Sequence, residues 1–484
     1  MIRRNPCRAL WSAAVLAVLA LTGASAQLAG EGEKAAAAAL APGSFAVELG
    51  RTTAPLPLEK IIQAALVFSD VPAEKIPGYG SQIDGLIEEA ALETADADDP
   101  AALADRLLGL LHERVLVHYE EPQTRMDVLL DQGRFNCVSS AILYFVLARS
   151  QGLDVGGLKT RDHALCIVRA DGEAYDVETT NVYGFNPGEK KEFLDAFGNT
   201  GYSYVPPGNY RHRTETDEKG LLALILQNRS SVAGEQGRHA DAVGPAVDAF
   251  FVLRDEDSFG KMVSSLLNLS ASYAMDARYA DALAFLDGAM AGLRGAYERS
   301  FGGSVGDAAA GDAAAGDAAT SGYTAESFQA KLEGDDRLVR QRSNILENWI
   351  VSLFQSKEWS RAEALIEEQH TRGSLSDGKR QEFLVYIYQV KAHEISRGGR
   401  FLDAMQSIQQ AIAVLGADEK LLQSLSVYRK NYEAKVHNSM VAAYREGRYE
   451  EAARIVEAGL ERLPDSAALK KDLELLEEAV ASGE

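Results

Sequence analysis

A short sequence pattern recurs five times between residues 237 and 464, and it constrains the fold of that half of the chain more than any other feature. Each copy has a turn residue, a charged residue, a residue with a ring side chain and, three positions after the ring, an alanine. This order is typical of two amphipathic helices joined by a tight turn, where a small residue lets the second helix pack closely against the first. The pattern therefore predicts stacked helical hairpins. Their alanines are Ala242, Ala282, Ala362, Ala404 and Ala452.

This pattern resembles the tetratricopeptide repeat (TPR), most closely in the last copy, where Pro464 follows Ala452 by twelve residues. The resemblance implies an all-α, TPR-like helical solenoid over residues 213–300 and 326–484. The alanines are 40, 80, 42 and 48 residues apart, so the helices or turns are expected to be longer than in the usual period of about 34 residues. The longest interval contains a Gly-, Asp- and Ala-rich tract, which predicts a low-complexity insertion over residues 301–325. Solenoids often bind partners on a concave surface, so we expect a protein partner; alternatively, the repeats only bury their own apolar faces.

The first 26 residues have the composition of a secretory signal peptide. Arg3, Arg4 and Arg8 precede the apolar segment 9–21, and Ala24-Ser25-Ala26 forms a small-residue cleavage site. The apolar segment is shorter than the roughly 20 residues that a membrane-spanning helix needs. We therefore expect export to the periplasm or cell surface with cleavage of the leader, and no integral membrane span afterwards. The alternative is an uncleaved leader that anchors the chain in the membrane.

Charge and composition argue against two classes of function. The formal net charge is −22, and removal of the three leader arginines takes it to −25. Nucleic-acid binding depends on clustered Lys and Arg, so we expect no nucleic-acid partner. The chain has three cysteines and eight histidines, and the spacing of His112 and His118 does not put them on one helix face, so we expect no metal and no cofactor. Residues 27–55 are alanine-rich and are expected to form a tether.

Residues 56–212 combine helical and strand patterns and are expected to form an α+β domain. Apolar periodicity predicts helices over 101–119 and 138–150, the second ending at Gly152. Three shorter apolar segments predict strands, and the pair Asp171-Gly172 predicts a two-residue hairpin turn between the last two strands. These strand segments are 153–160, 164–169 and 174–179.

Two residues of this domain have the chemistry of a nucleophile and its base. Cys137 stands at the start of the second helix, where the positive end of the helix dipole favours the thiolate. His163 stands at the head of the strand 164–169. An imidazole beside a thiolate stabilises it and carries a proton to the leaving group, and a carboxylate is then needed to orient the imidazole.

Two acids compete for that orienting role, Glu178 and Asp176, and strand register ranks them. A two-residue turn at Asp171-Gly172 pairs His163 with Thr180. Both acids then project on the His163 face, because side chains alternate along a strand. Glu178 lies one diagonal step from His163, about 7–8 Å between backbones, whereas Asp176 lies roughly 7 Å farther along the strand. We therefore rank Glu178 first and Asp176 second; a bulged or longer turn would reverse the order.

The order of these residues resembles that of the transglutaminase-like (papain-related) cysteine peptidase superfamily. In both, a cysteine at a helix start is followed by a histidine at the head of a strand and an acid on the next strand. The matching segments are Phe135-Asn136-Cys137 and Asp162-His163-Ala164. Glu178-Thr179-Thr180 stands where many relatives have Asp-Pro-Thr. The resemblance implies a papain/transglutaminase-like α+β core with thiol chemistry on amide bonds. The substitution of Glu for Asp is a departure from the family pattern at the residue that orients the imidazole.

Two points remain for this domain: which groups could donate to an oxyanion, and where the second cysteine lies. The backbone N–H of Cys137 is a natural donor to an oxyanion, and Gln132 or Asn136 is the candidate for a second donor; Asn136 is equally suited to capping the helix. Cys166 is expected in the apolar core. Three residues separate it from His163, so it points to the opposite face of the sheet, which argues against a disulfide with Cys137.

The leading functional expectation is an exported thiol enzyme that hydrolyses peptide or isopeptide bonds. Its repeats would recruit a protein or peptide substrate, or a protein partner. One alternative is acyl transfer to an amine, which would crosslink amides with the same three residues. The other is a catalytically inactive scaffold of the cell envelope.

Overall fold

The computed structural model describes residues 40–97, 99–160, 163–188, 192–193, 213–302 and 323–482. The expected signal peptide, the first part of the expected tether and nearly all of the expected insertion lie outside these residues. The described chain is mostly helical with one small sheet region. It forms two compact units, one up to Ile345 and one from Leu346 onward. None of the helices in the described ranges is long and apolar enough to cross a membrane.

The first unit begins with helices and two very short strands and then forms a sheet. A short 3₁₀ turn precedes the third helix. The elements are α1 Ser44–Arg51, α2 Leu58–Phe68, α3 Ile76–Glu93, α4 Pro100–Arg114, β1 His118–Tyr119, α5 Met126–Gln132, β2 Arg134–Phe135, α6 Cys137–Ser150, β3 Asp154–Lys159, β4 Ala164–Ala170, β5 Glu173–Val177 and β6 Thr214–Thr216.

Helices follow the sheet to the end of the described chain, and the division between the two units falls within the sixth of them. They are α7 Glu218–Glu235, α8 His239–Leu253, α9 Glu256–Met275, α10 Tyr279–Phe301, α11 Ala325–Glu333, α12 Asp336–Gln355, α13 Trp359–Thr371, α14 Asp377–Ser396, α15 Phe401–Leu415, α16 Glu419–Arg445, α17 Tyr449–Arg462 and α18 Ala467–Ser482.

The four-stranded sheet is antiparallel, in the order β5-β4-β3-β6. Asp171 and Gly172 have φ angles of 54° and 83°, which is the two-residue turn expected from the sequence. The β4–β5 register pairs Cys166 with Val177 and Ile167 with Asp176. This is the register that the turn predicts, so the predicted hairpin is confirmed.

Helix α6 is the centre of the α+β region. Residues 137–148 are all buried, so this helix is covered on every side, as an apolar helix without a polar face must be. The hydroxyl of Tyr144 donates to the carbonyl of Ala104 in α4 at 3.0 Å, and the thiol of Cys166 in β4 donates to the carbonyl of Ala141 at 3.3 Å. The middle of α6 is therefore held between a helix and the sheet.

The expected tether is wrong for residues 40–55, which are folded. Helix α1 is amphipathic and buries Ala46 and Leu49. Gly50 lies so close to α8 that a Cβ there would come within 2.1 Å of the carbonyl oxygen of Phe251. Alanine-rich composition suggested a linker, but spaced apolar residues with a glycine at the close approach form a docked helix.

The apolar core also continues past residue 212, where a domain boundary was expected. Leu221, Ile225 and Leu226 of α7 belong to the same buried cluster as α6. Glu218 at the start of α7 is buried, accepts a hydrogen bond from the N–H of Leu56, and lies 3.5 Å from the guanidinium of Arg149 in α6. Strand patterns end near residue 215, but α7 packs on the strand-containing core rather than apart from it.

The recurring sequence pattern corresponds to five helix–turn–helix units. All five alanines are buried in the second helix of each pair. The residue that begins each copy of the pattern adopts a positive φ, including two that are not glycine. These φ values are 72° at Gly237, 57° at Ala277, 60° at Lys357, 73° at Gly399 and 75° at Gly447. Such left-handed residues let a helix end and the chain reverse within a few residues. The helical hairpins are compatible with the expected helical solenoid.

The charged residues of the pattern also have a structural role. Arg238, Arg278 and Arg448 precede the second helix of their hairpins, and each pairs with an acid three residues later, in the first turn of that helix. An acid in the first turn also interacts favourably with the helix dipole. Such exposed pairs contribute little to stability.

Candidate active site

Cys137 is the first residue of α6, and Asn136 caps the helix. The side-chain oxygen of Asn136 accepts hydrogen bonds from the N–H groups of Val138 and Ser139 at 3.0 and 3.1 Å. The hydroxyl of Ser139 in turn accepts from the N–H of Asn136 at 3.0 Å, which completes a capping box. The N–H of Cys137 takes no part in this capping box. Cys137 is 9% exposed.

His163 and Glu178 form a buried pair beside this helix start. The Nε2 atom of His163 lies 2.6 Å from Oε2 of Glu178, and the two residues are 9% and 0% exposed. The other carboxylate oxygen, Oε1, accepts hydrogen bonds from the backbone N–H and the hydroxyl of Thr180, at 3.2 and 2.7 Å. Both oxygens of Glu178 therefore have defined partners, as a buried carboxylate requires.

The Cys137 thiol is a close enough neighbour of His163 to affect the protonation of its ring. Because Glu178 occupies Nε2, the ring nitrogen left for the thiol is Nδ1. Burial by itself lowers the pKa of His163, but its electrostatic interactions and hydrogen bonds with Glu178 and Cys137 raise this pKa well above its ordinary value. For Glu178, burial raises the pKa and the His163 charge and the hydrogen bonds lower it, and the net result is a lowered pKa.

The structure thus brings together three of the residues considered from the sequence: Cys137, His163 and Glu178. Asp176 is not part of this group. It lies opposite Ile167 in the β4–β5 ladder and forms an ion pair with Arg213. The difference between the two acids is their place along β5, because Glu178 follows the end of the strand, where the chain turns toward the helix start.

The two side chains considered as oxyanion donors are both engaged elsewhere. Asn136 caps the helix with its oxygen, and its Nδ2 donates to the carbonyl of Glu121 at 3.0 Å. Gln132 is exposed at the end of α5 and accepts a hydrogen bond from Arg134 at 3.0 Å. Asn136 is therefore a capping residue, and Gln132 belongs to a polar surface group.

Sequence reasoning missed the residues that hold Thr179, which follows Glu178. The Nε2 atom of His112 lies 3.1 Å from the carbonyl oxygen of Thr179, and the Ser140 hydroxyl lies 2.8 Å from the Thr179 hydroxyl. Burial lowers the pKa of His112 to about 4, so its ring is neutral and Nε2 carries the proton donated to the carbonyl. One signal was available: His112 lies four residues after Leu108, on the buried face of α4.

Cys166 lies in the core, as expected. It is fully buried, and it and Cys137 are both free thiols. Burial raises the pKa of the Cys166 thiol, so this cysteine stays protonated and unreactive in the folded protein. Of the two described cysteines, Cys137 is therefore the one suited to act as a nucleophile.

Comparison with family models, with curated proteins and with solved structures gives no match for this chain. In the described ranges, no group of three His, Cys, Asp or Glu side chains is arranged to hold a metal ion. The site combines a thiol at the start of a helix with a hydrogen-bonded imidazole and carboxylate.

Proposed function

We propose that the protein is a thiol hydrolase of the transglutaminase-like type, which cleaves peptide or isopeptide bonds with Cys137, His163 and Glu178. The observation that supports this proposal is the placement of the His163 ring, with Glu178 on Nε2 and the Cys137 thiol close enough to the ring to affect its protonation. In this arrangement the imidazole accepts the thiol proton and its positive charge is stabilised by the buried carboxylate.

The reaction has two steps. In the first, the sulfur of Cys137 attacks the carbonyl carbon of the substrate, and the electron pair of the C=O bond moves to oxygen. His163 donates the proton that it took from the thiol to the departing amine, the C–N bond breaks and a thioester to Cys137 remains. In the second step, His163 takes a proton from a water molecule that attacks the thioester. The acid product leaves, and the proton returns to the sulfur.

Glu178 contributes by orienting the ring and stabilising its charge. Thr180 holds one carboxylate oxygen, and the loop after Glu178 is attached to α4 and α6 through Thr179. A carboxylate held in this way keeps the imidazole in the tautomer and orientation that proton transfer requires. Water is always available to accept the acyl group from the thioester, which favours hydrolysis over transfer to an amine.

We also propose that the helical hairpins recruit the protein or peptide substrate, or a protein partner, for the α+β region. The support is the succession of helical hairpins along the chain, since arrays of helix pairs expose extended surfaces. The basic, apolar and small-residue pattern of residues 1–26 supports export to the periplasm or cell surface.

Covalent capture of Cys137 tests the proposal. The full chain would be incubated with a panel of peptidyl vinyl sulfones and the labelled cysteine identified by mass spectrometry. We expect labelling of Cys137 in the wild type and in Cys166→Ala, and no labelling in Cys137→Ala. Cys166→Ala is the matched control because it removes the other described thiol, which is fully buried. At pH 6, iodoacetamide should also alkylate Cys137 faster than it alkylates free cysteine.

The alternatives predict different results. A scaffold predicts that Cys137 reacts no faster than free cysteine and that Cys137→Ser leaves partner binding and cellular function unchanged. Acyl transfer predicts that a primary amine added to a captured peptide substrate is incorporated into the product. With hydrolysis, the free acid dominates even when the amine is present.

A further inference from the structure

One cavity of the first unit lies between α4 and the loop that follows Glu178. Its volume is about 410 Å³, which is in the range of small-ligand sites in proteins. It is lined by Asp105, Arg106, Gly109, Val182, Tyr183 and Glu192. A Cβ at Gly109 would meet no described atom outside its own stretch of helix within 4 Å. The cavity therefore has room for a side chain of a bound molecule.

The loop wall of this cavity is joined to the acid of the candidate active site. The N–H of Glu178 donates to the carbonyl of Gly184 at 2.8 Å, which closes a compact loop. A Cβ at Gly184 would lie 1.9 Å from the carbonyl oxygen of Glu178, so the closure requires glycine. Within the loop, the N–H of Tyr183 donates to the side-chain oxygen of Asn181 at 2.9 Å. The loop that carries Glu178 therefore also sets the position of Tyr183.

The helix wall is joined to the same site through His112, which lies three residues after Gly109 on the same side of α4. The ring of His112 meets the ring of Phe135, two residues before Cys137, with centroids 6.1 Å apart. Its Nε2 lies 3.1 Å from the carbonyl oxygen of Thr179. One helical turn is about 5.4 Å, and an extended peptide advances about 3.3–3.6 Å per residue. A peptide bound at Cys137 can thus reach the cavity within a few residues.

The charges around the cavity are mainly negative. Asp105 and Glu192 are exposed carboxylates without an ion-pair partner in the part of the chain that the structure describes. Arg106, which also lines the cavity, pairs with Asp96, and this pair offsets its charge. Two unmatched carboxylates at one cavity favour a positively charged group.

The loop wall adds apolar surface to this negative charge. Tyr183 and Val182 are 50% and 41% exposed, so a molecule in the cavity can contact both side chains. An aromatic ring attracts a cation, and the aliphatic stems of lysine and arginine pack on apolar surface while the charged head stays in polar surroundings. The cavity is therefore complementary to a cation on an aliphatic stem.

We propose that this cavity binds a basic side chain of the peptide substrate, lysine or arginine, with its charged head beside Asp105 and Glu192 and its stem against Tyr183. The inference rests on the proposed thiol hydrolase function and names the substrate class of that site. No bond forms or breaks in the cavity. Asp105, Glu192 and Tyr183 are therefore specificity-determining residues, whereas the chemistry stays with Cys137.

Matched pairs of peptidyl vinyl sulfones test this assignment. The two probes of a pair differ at one position, which holds lysine in one and norleucine in the other, and the four positions nearest the reactive group are scanned in turn. Norleucine has an unbranched aliphatic stem but no ammonium group. At one of these positions, we expect the lysine probe to label Cys137 of the full chain about tenfold faster than the norleucine probe. This preference should decrease as salt is added, because exposed charges are screened.

Two variants locate the preference in the cavity. Asp105→Asn/Glu192→Gln removes both charges and should reduce the preference to twofold or less. Gly109→Leu fills the open space above the helix, so the lysine probe should label Cys137 about tenfold more slowly. In both variants iodoacetamide, which is too small to need the cavity, should alkylate Cys137 at the wild-type rate.

Asp84→Asn/Glu88→Gln is the matched control. It removes two exposed acids of α3 that do not line the cavity, so it changes the net charge equally and should keep the lysine preference. A preference that persists in Asp105→Asn/Glu192→Gln, or that the α3 control loses to the same extent, would overturn the assignment. Equal labelling by lysine and norleucine probes at all four positions would also overturn it, while capture of Cys137 would leave the thiol hydrolase proposal standing. If no probe captures Cys137, both proposals fail.

Discussion

Replacing Glu178 by glutamine tests whether the buried His163–Glu178 pair is the centre of the site. The substitution keeps the shape of the side chain and leaves an oxygen for the two hydrogen bonds from Thr180, at 3.2 and 2.7 Å. It removes the negative charge that lies 2.6 Å from Nε2 of His163. Without this charge, burial favours the neutral ring, and the amide hydrogens impose the wrong tautomer on it.

The effect on activity and stability follows from the loss of one buried, charge-assisted hydrogen bond. A bond of this kind contributes about 1.5–3 kcal/mol to the free energy of unfolding. Catalysis requires the imidazolium, so we expect kcat/KM for a captured peptide substrate to fall by about 10³- to 10⁴-fold. The matched control is Asp176→Asn, which also removes an acid from the β4–β5 hairpin. Asp176 pairs with the partly exposed Arg213, so its loss should cost less than about 1 kcal/mol.

The stability difference should depend on pH with a definite sign. The pKa of His163 is raised above its ordinary value of 6.5, so its contribution is complete below pH 6.5 and is lost as the pH rises through the folded-state pKa. The pKa of Glu178 is lowered below its ordinary value of 4.5, so its contribution is complete above pH 4.5 and is lost as the pH falls through the folded-state pKa. The wild type should therefore exceed Glu178→Gln in stability most clearly between pH 4.5 and 6.5.

Labelling of the buried Cys166 is the appropriate assay, because Trp349 and Trp359 lie outside the α+β region and their fluorescence would report on other helices. Cys166 reacts with iodoacetamide only when this core opens, so the ratio of variant to wild-type labelling rates at one pH measures the change in opening free energy. A loss of 1.5–3 kcal/mol corresponds to labelling about 10- to 150-fold faster. Equal rates for Glu178→Gln and Asp176→Asn, or a difference unchanged from pH 4.5 to 8.5, would refute the reasoning.

Three further predictions concern other parts of the chain. His112→Phe keeps a ring in α4 but removes the hydrogen bond to the Thr179 carbonyl. We therefore expect kcat/KM to fall about tenfold in steady-state kinetics, and the free energy of unfolding, measured by Cys166 labelling, to fall by about 1–2 kcal/mol. Lys357 has a φ of 60°, so Lys357→Gly should stabilise its hairpin by about 1 kcal/mol, measured as a higher urea midpoint in the fluorescence of Trp359. Burial raises the pKa of Asp248 from 3.8 to about 6, so the folded chain binds a proton that the unfolded chain releases, and stability falls as the pH rises between these values. Asp248→Asn lacks this loss and should exceed the wild type in urea stability above pH 6 by up to about 3 kcal/mol.

The local parts of the site were predictable because their causes are local. The turn at Asp171-Gly172 determines the β4–β5 register, and that register ranks Glu178 ahead of Asp176 as the acid nearest His163. The helix start at Cys137 follows from the capping residue before it. Both rules act over a few residues, so a single sequence is sufficient to apply them.

Two interpretations from the sequence differed from the structure because they depended on distant partners. An alanine-rich segment was expected to be a tether, but Leu49 and its neighbours in α1 are buried in the folded unit. A boundary was expected at residue 212, but Leu221 and the rest of α7 complete the core of the preceding elements. Composition and periodicity describe one segment at a time, whereas burial depends on which faces meet.

The sequence by itself determined the order of the chemistry-bearing residues, the hairpin register, the helix start at Cys137 and the helical hairpins with their buried alanines. Only the tertiary structure decided that His112 and Ser140 hold Thr179 and that Tyr183 and Asp105 line one cavity. It also decided that the Nδ2 of Asn136 donates to the carbonyl of Glu121. The physical reason is the range of the interactions: turns, caps and alternation act between neighbours in sequence, while these contacts join side chains that only packing brings together.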